Sequence, residues 1–116
     1  MKVSVDFNTP ITQPRGESIP TGTEDDSPVL TLGFVSEQVL ANPVPEDKRD
    51  GVQRAKDWKL VLKIIGDDGY NTVELNDNQR KHLIKMIAAG YPAPMICGQA
   101  ALLIDSDAAM DDEEEE

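Results

Sequence analysis

Eight acidic side chains and no basic one fall in the last twelve residues: Asp105, Asp107, Asp111, Asp112, Glu113, Glu114, Glu115 and Glu116. Like charges repel one another, and charged side chains supply no apolar surface to bury, so this stretch is excluded from any core and reads as a disordered, solvated arm. Over the whole chain 11 basic residues face 22 acidic ones, a net charge of −11. With 105–116 set aside, eleven basic residues against fourteen acidic ones leave −3 for residues 1–104, so the acidity belongs mainly to the arm. Removing the arm and an irregular beginning leaves about 75 residues to pack, enough for one small domain and not for two.

The core must be aliphatic, because the only aromatic residues are Phe7, Phe34, Trp58, Tyr70 and Tyr91. No apolar run approaches the roughly 20 residues of a membrane span. The opening Met1-Lys2-Val3-Ser4-Val5-Asp6 lacks the hydrophobic region of a secretory signal. A single cysteine, Cys97, rules out an intrachain disulfide. These features predict a soluble cytoplasmic protein. A chain this acidic is not drawn as a whole to nucleic acid or anionic lipid; it is drawn to basic proteins, or the charge serves solubility alone.

Along the chain, Lys2–Asn8 alternates Val3, Val5 and Phe7 with polar residues, the period of a half-buried strand. Residues 9–28 read as a proline- and glycine-rich loop, and Val29–Leu32 offers a strand partner for Val3–Phe7. Thr31 is placed to cap a short helix from Leu32, ended by Asn42-Pro43. The clearest helix spans about Glu46 to Ile65, with Gly66 as a left-handed stop. Its broad apolar face holds Ala55, Trp58, Val61, Leu62 and Ile65; Leu60 and Ile64 extend it, and Lys56, Lys59 and Lys63 share a narrow arc marking its route to water. Asp67-Asp68-Gly69 is a turn and Asn71–Leu75 a brief extended piece. Asn76 with Gln79 forms a capping box for a helix from Asp77 to Ala89, stopped by Gly90, with Leu83, Ile84, Met86 and Ile87 on one face. A last helix over about 93–104 contains Gly98, read as room for a close neighbour. The expected fold is mainly α, with a small α+β arrangement as the alternative. It comprises an extended N-terminal segment over 1–30, a compact domain of three to four helices over 31–104, and the arm over 105–116.

Candidate chemistry is sparse. The one histidine, His82, lies off the main apolar face of its helix and reads as an exposed helical side chain. Cys97, in an apolar stretch, reads as a structural thiol. Asp105-Ser106-Asp107 resembles the start of a calcium loop, but Met110 stands where that loop needs glycine and no second helix follows Glu116. No glycine-rich phosphate loop occurs. The reading is a non-enzyme without cofactor or metal. Lys56, Lys59, Lys63, Arg80, Lys81 and Lys85 form a candidate basic surface, read as a solvated face, as a dock for the chain's own acidic arm, or as a phosphate contact.

The order of features also resembles small accessory proteins of tailed bacteriophages. The resemblance is carried by Leu30-Thr31-Leu32-Gly33, Trp58 with Leu62 and Ile65, Val73-Glu74-Leu75, Leu83-Ile84-Lys85, and Tyr91 with Gly98-Gln99-Ala100. It implies a host-cytoplasm setting and a viral protein that works by binding. The expected partner is a protein with a basic surface, engaged with help from Asp111, Asp112, Glu113, Glu114, Glu115 and Glu116. A nucleic-acid accessory role through the lysines, with the arm as competitor, and a virion assembly role through self-association over Met95–Leu103 are the alternatives.

Overall fold

The alternation at the N-terminus does form a strand. In a computed structural model that describes residues 2–21, 29–45, 47–67 and 69–105, β1 runs Val3–Asp6, with Val5 and, just beyond it, Phe7 fully buried. Its partner is β4 (Thr72–Leu75), antiparallel, with Val5 opposite Val73 and Val3 opposite Leu75. The expected pairing with Val29–Leu32 is therefore corrected. That segment is engaged elsewhere: the Ile11 N–H donates to the Leu30 carbonyl at 3.0 Å, and the Leu30 N–H donates to the Ile19 carbonyl at 2.6 Å. The segment after β1 stays on the body, where Ile11 is fully buried and the Gln99 side-chain amide clamps Thr12, accepting from its N–H at 3.1 Å and donating to its carbonyl at 2.5 Å.

Helix α1 (Leu32–Ala41) begins where Thr31 accepts a hydrogen bond from the Phe34 N–H at 3.2 Å. Helix α2 (Gly51–Ile64) starts later than Glu46, because its cap is Asp50, whose carboxylate accepts from the Gln53 N–H at 2.7 Å. Residues 47–50 remain outside the helix, with Asp47 and Arg49 bonded to one another and Asp50 to the Gln53 N–H. The chain leaves α2 through a two-residue ladder of β2 (Ile65–Gly66) against β3 (Gly69–Tyr70). The left-handed stop expected at Gly66 is corrected: α2 ends on Ile65 in an extended conformation, and the positive φ of +142° belongs to Gly69 in the turn that follows. Helix α3 (Asp77–Gly90) carries the capping box of Asn76 and Gln79, closed in both directions at 2.8 and 2.9 Å. Helix α4 (Pro94–Ile104) opens with proline in its first turn.

Among the described residues the result is a compact, mainly α domain of four helices and two small sheets. α1 packs on α2 and α3, and α4 packs on α3. Phe7, Ile11, Leu32, Val35, Ile64, Leu75, Leu83, Ile87 and Ile104 meet in one core. Among the described residues no helix is long and apolar enough to cross a membrane. The arm expected over 105–116 lies outside the described residues apart from Asp105, which is half-buried with an oxygen 3.7 Å from Arg80.

Candidate functional site

Helix α2 organises the molecule's polar chemistry, and the phase in which it packs decides what each of its faces does. The buried residues are Asp57, Leu60, Val61 and Ile64. The sequence places the apolar face on Ala55, Trp58, Val61, Leu62 and Ile65. The observed phase is turned from that by about 110°, at about 100° per residue. Trp58 is thereby 54% exposed, Leu62 58% and Val52 67%, with Ile65 also at the surface. Trp58 is not a core residue, a correction whose cause lies in the loop before the helix.

That cause is Arg49. Its guanidinium uses all five N–H donors. Nη1 donates to the Leu40 carbonyl and to Asp57, both at 3.0 Å. Nη2 donates to the Asn42 carbonyl at 3.0 Å and to Asp47 at 2.6 Å, and Nε donates to Asp47 at 2.9 Å. Leu40 and Asn42 lie at the end of α1, whose last carbonyls have no helical partner, so Arg49 closes that helix with a cation at the negative end of its dipole. The same guanidinium draws Asp57, 2% exposed, into the core side of α2. Hydrogen bonding from Arg49 holds the Asp47 carboxyl well below the usual carboxylate range, and Asp47 in turn raises the Arg49 guanidinium above its ordinary value.

Asp57 has two further donors. Gln53 Nε2 reaches it at 2.8 Å along α2, and His82 Nε2 on α3 lies 2.9 Å away. His82 is thus no simple exposed histidine: its side chain is 25% exposed and tied to a buried carboxylate, which corrects the sequence reading. The carboxylate accepts, so Nε2 carries the proton, and Nδ1 has no hydrogen-bond partner among the described residues.

Three hollows surround this network. One of about 440 Å³, between the 44–53 segment and α3, is lined by Asp47, Lys48, Gln53, His82, Lys85 and Met86. A smaller one of about 250 Å³ lies beside Trp58, walled by Leu40, Pro43 and Arg54. A third, also about 440 Å³, is a groove between α2 and the start of α3, lined by Lys56, Asp57, Lys59, Lys63, Asn76, Asn78, Gln79 and His82. Of the expected basic surface, Lys56, Lys59 and Lys63 come together here. Lys85 faces the first hollow, and Lys81 is exposed and lines none of the three. Arg80 is mostly buried and paired with Asp77 and Asp105. Cys97 is half-buried, its Sγ 3.8 Å from the Pro92 carbonyl oxygen. The acidic residues Asp111–Glu116 lie outside the described residues. Among the described residues, no three His, Cys, Asp or Glu side chains converge to hold a metal ion.

The sequence reading missed the Asp47–Arg49–Asp57–His82 network. One signal was available. Asp57 lies three, four and seven positions from Leu60, Val61 and Ile64, a lone acid on an otherwise apolar arc, and such a residue demands a buried cation. No family model, curated protein or solved structure matches this chain.

Proposed function

We propose that this is a non-enzymatic accessory protein that works by docking a basic protein, in the host cytoplasm that the bacteriophage resemblance implies. The observation that carries the reading is the exposed apolar stripe of Trp58 and Leu62 on the outward face of α2, continued by Ile65. Interface centres favour tryptophan and aliphatic anchors stripped of water, with charge left to the rim. Here the stripe borders the 250 Å³ hollow beside Trp58, sized for a partner's side chain. The net charge of −11 selects the sign of the partner, and Asp111–Glu116 supply long-range attraction that speeds encounter without a fixed contact.

The test is capture of a partner by full-length protein, identified by mass spectrometry and then purified. Trp58→Ser with Leu62→Ser is expected to abolish binding of that partner. Deletion of Asp111–Glu116 is expected to slow association about tenfold at low salt while leaving dissociation unchanged. Undiminished binding by the double variant would sink the reading.

A second reading, a self-associating virion component, is favoured by the exposure of Met95, Leu102 and Leu103 on α4. It predicts a mass that rises with concentration in light scattering and falls back to that of one chain in Leu102→Ser.

A further inference from the structure

We propose that the groove between α2 and α3 is a binding site for a small, multiply charged, phosphate-bearing anion, held by the ammonium groups of Lys56, Lys59 and Lys63. These lysines occur at spacings of three and four, so they rise from one side of α2, and all three line the same space of about 440 Å³. That volume is in the range of small-molecule sites.

The grouping is what sets these lysines apart. No lysine forms an ion pair among the described residues, whereas Arg49 and Arg80 each hold two carboxylates, and Lys56, Lys59 and Lys63 are the three that gather on one hollow. Asp57, the carboxylate that lines the groove, shares the single charge of Arg49 with Asp47, and Gln53 and His82 only hydrogen-bond it, so one negative charge remains there and the three ammonium groups outweigh it. Three cations only partly balanced repel one another, and an anion with two or more charges relieves that repulsion. On the opposite wall the Asn78 side-chain amide is a further donor, because the capping box occupies Asn76 and Gln79 but not Asn78. The one aromatic ring among the groove's described lining residues is the His82 imidazole, tied to Asp57, and Trp58 stands on another arc of α2. A nucleic-acid base has at most that one ring to stack on, which favours a compact anion over a polynucleotide.

This site is separate from the apolar stripe, so the two proposals stand or fall independently. Inorganic tripolyphosphate titrated into the full chain at constant ionic strength, followed by amide NMR, is the experiment. Expected are saturable shifts at Lys56, Lys59, Lys63 and Asn78. Lys59→Gln is expected to weaken binding about tenfold, and Lys59→Gln with Lys63→Gln about a hundredfold. Lys81→Gln, on the outer surface of α3, and Trp58→Ser are expected to leave binding unchanged. The proposal is overturned if the shifts do not saturate by millimolar tripolyphosphate, or if Lys81→Gln weakens binding as much as Lys59→Gln. It is also overturned if a single-stranded oligonucleotide binds through the same lysines far more tightly than tripolyphosphate.

Discussion

At the scale of single residues, Arg49 has the widest influence. It joins the end of α1, the 47–50 loop and the inward face of α2 through one planar group. Removing it leaves Asp57 buried without its cation and exposes the desolvated carbonyls of Leu40 and Asn42. Losing one partner of a buried ion pair typically costs about 3–5 kcal/mol. Arg49→Ala is expected to fall in that range by urea denaturation. Arg49→Lys should recover little, because an ammonium offers three donors from one point where the guanidinium offers five in a fixed fork. A lysine variant as stable as the parent would show that charge alone, without the fork geometry, holds these elements together. Gly33 makes a different single-residue demand: a Cβ there would run into the ring of Tyr70, so the close approach of α1 to β3 depends on glycine.

At the scale of elements, the starts of α1 and α3 were legible in the sequence, whereas the ends of α2 and the helix contacts were not. Thr31 and the box of Asn76 and Gln79 act through neighbours within three positions, so their roles follow from local chemistry alone. Two glycines show the opposite. Gly98 reads as room for a neighbouring helix, yet a Cβ there meets nothing within 4 Å. Gly90 reads as a simple stop, yet a Cβ there would lie 2.6 Å from a methyl of Val39, so it is where α3 closes on α1. Gly98→Ala is accordingly expected to stabilise the protein by up to about 1 kcal/mol through helix propensity. Gly90→Ala is expected to destabilise it, because the collision sits in a packed core. Thermal melts of the two variants shifting in the same direction would contradict this account of α3 and α4.

At the scale of the whole molecule, stability should be bounded on both sides of neutral pH by identifiable groups. The carboxyl of Asp47 is held low, chiefly by hydrogen bonding from Arg49. A lowered acid contributes stability that is complete above its unfolded value of about 4 and is lost as pH falls through the folded value. Tyr70 is pushed up from 10.0 to about 12, first by burial and then by its hydroxyl bond to Glu37 at 3.0 Å. A raised tyrosine contributes stability that is complete below about pH 10 and is lost as pH rises through about 12. Urea denaturation across pH should therefore show a plateau that erodes below about pH 4 and above about pH 10. Burial also raises Tyr91, so Tyr70→Phe should reduce the alkaline limb without abolishing it, and ultraviolet titration should show both tyrosines ionising late. An unchanged alkaline limb in the phenylalanine variant would remove Tyr70 from the account.

The sequence by itself determined the order of elements, the caps that start α1 and α3, the aliphatic character of the core and the confinement of acidity to the end of the chain. All of these depend on composition or on neighbours a few residues apart. The tertiary structure decided that β1 pairs with β4, that α2 turns Asp57 inward and Trp58 outward, and that His82 meets a carboxylate twenty-five positions away. Helix α2 has apolar residues on both sides, so its own pattern permits either phase. The choice was made by Arg49 reaching three segments at once, and a contact among distant segments leaves no periodic trace in any one of them.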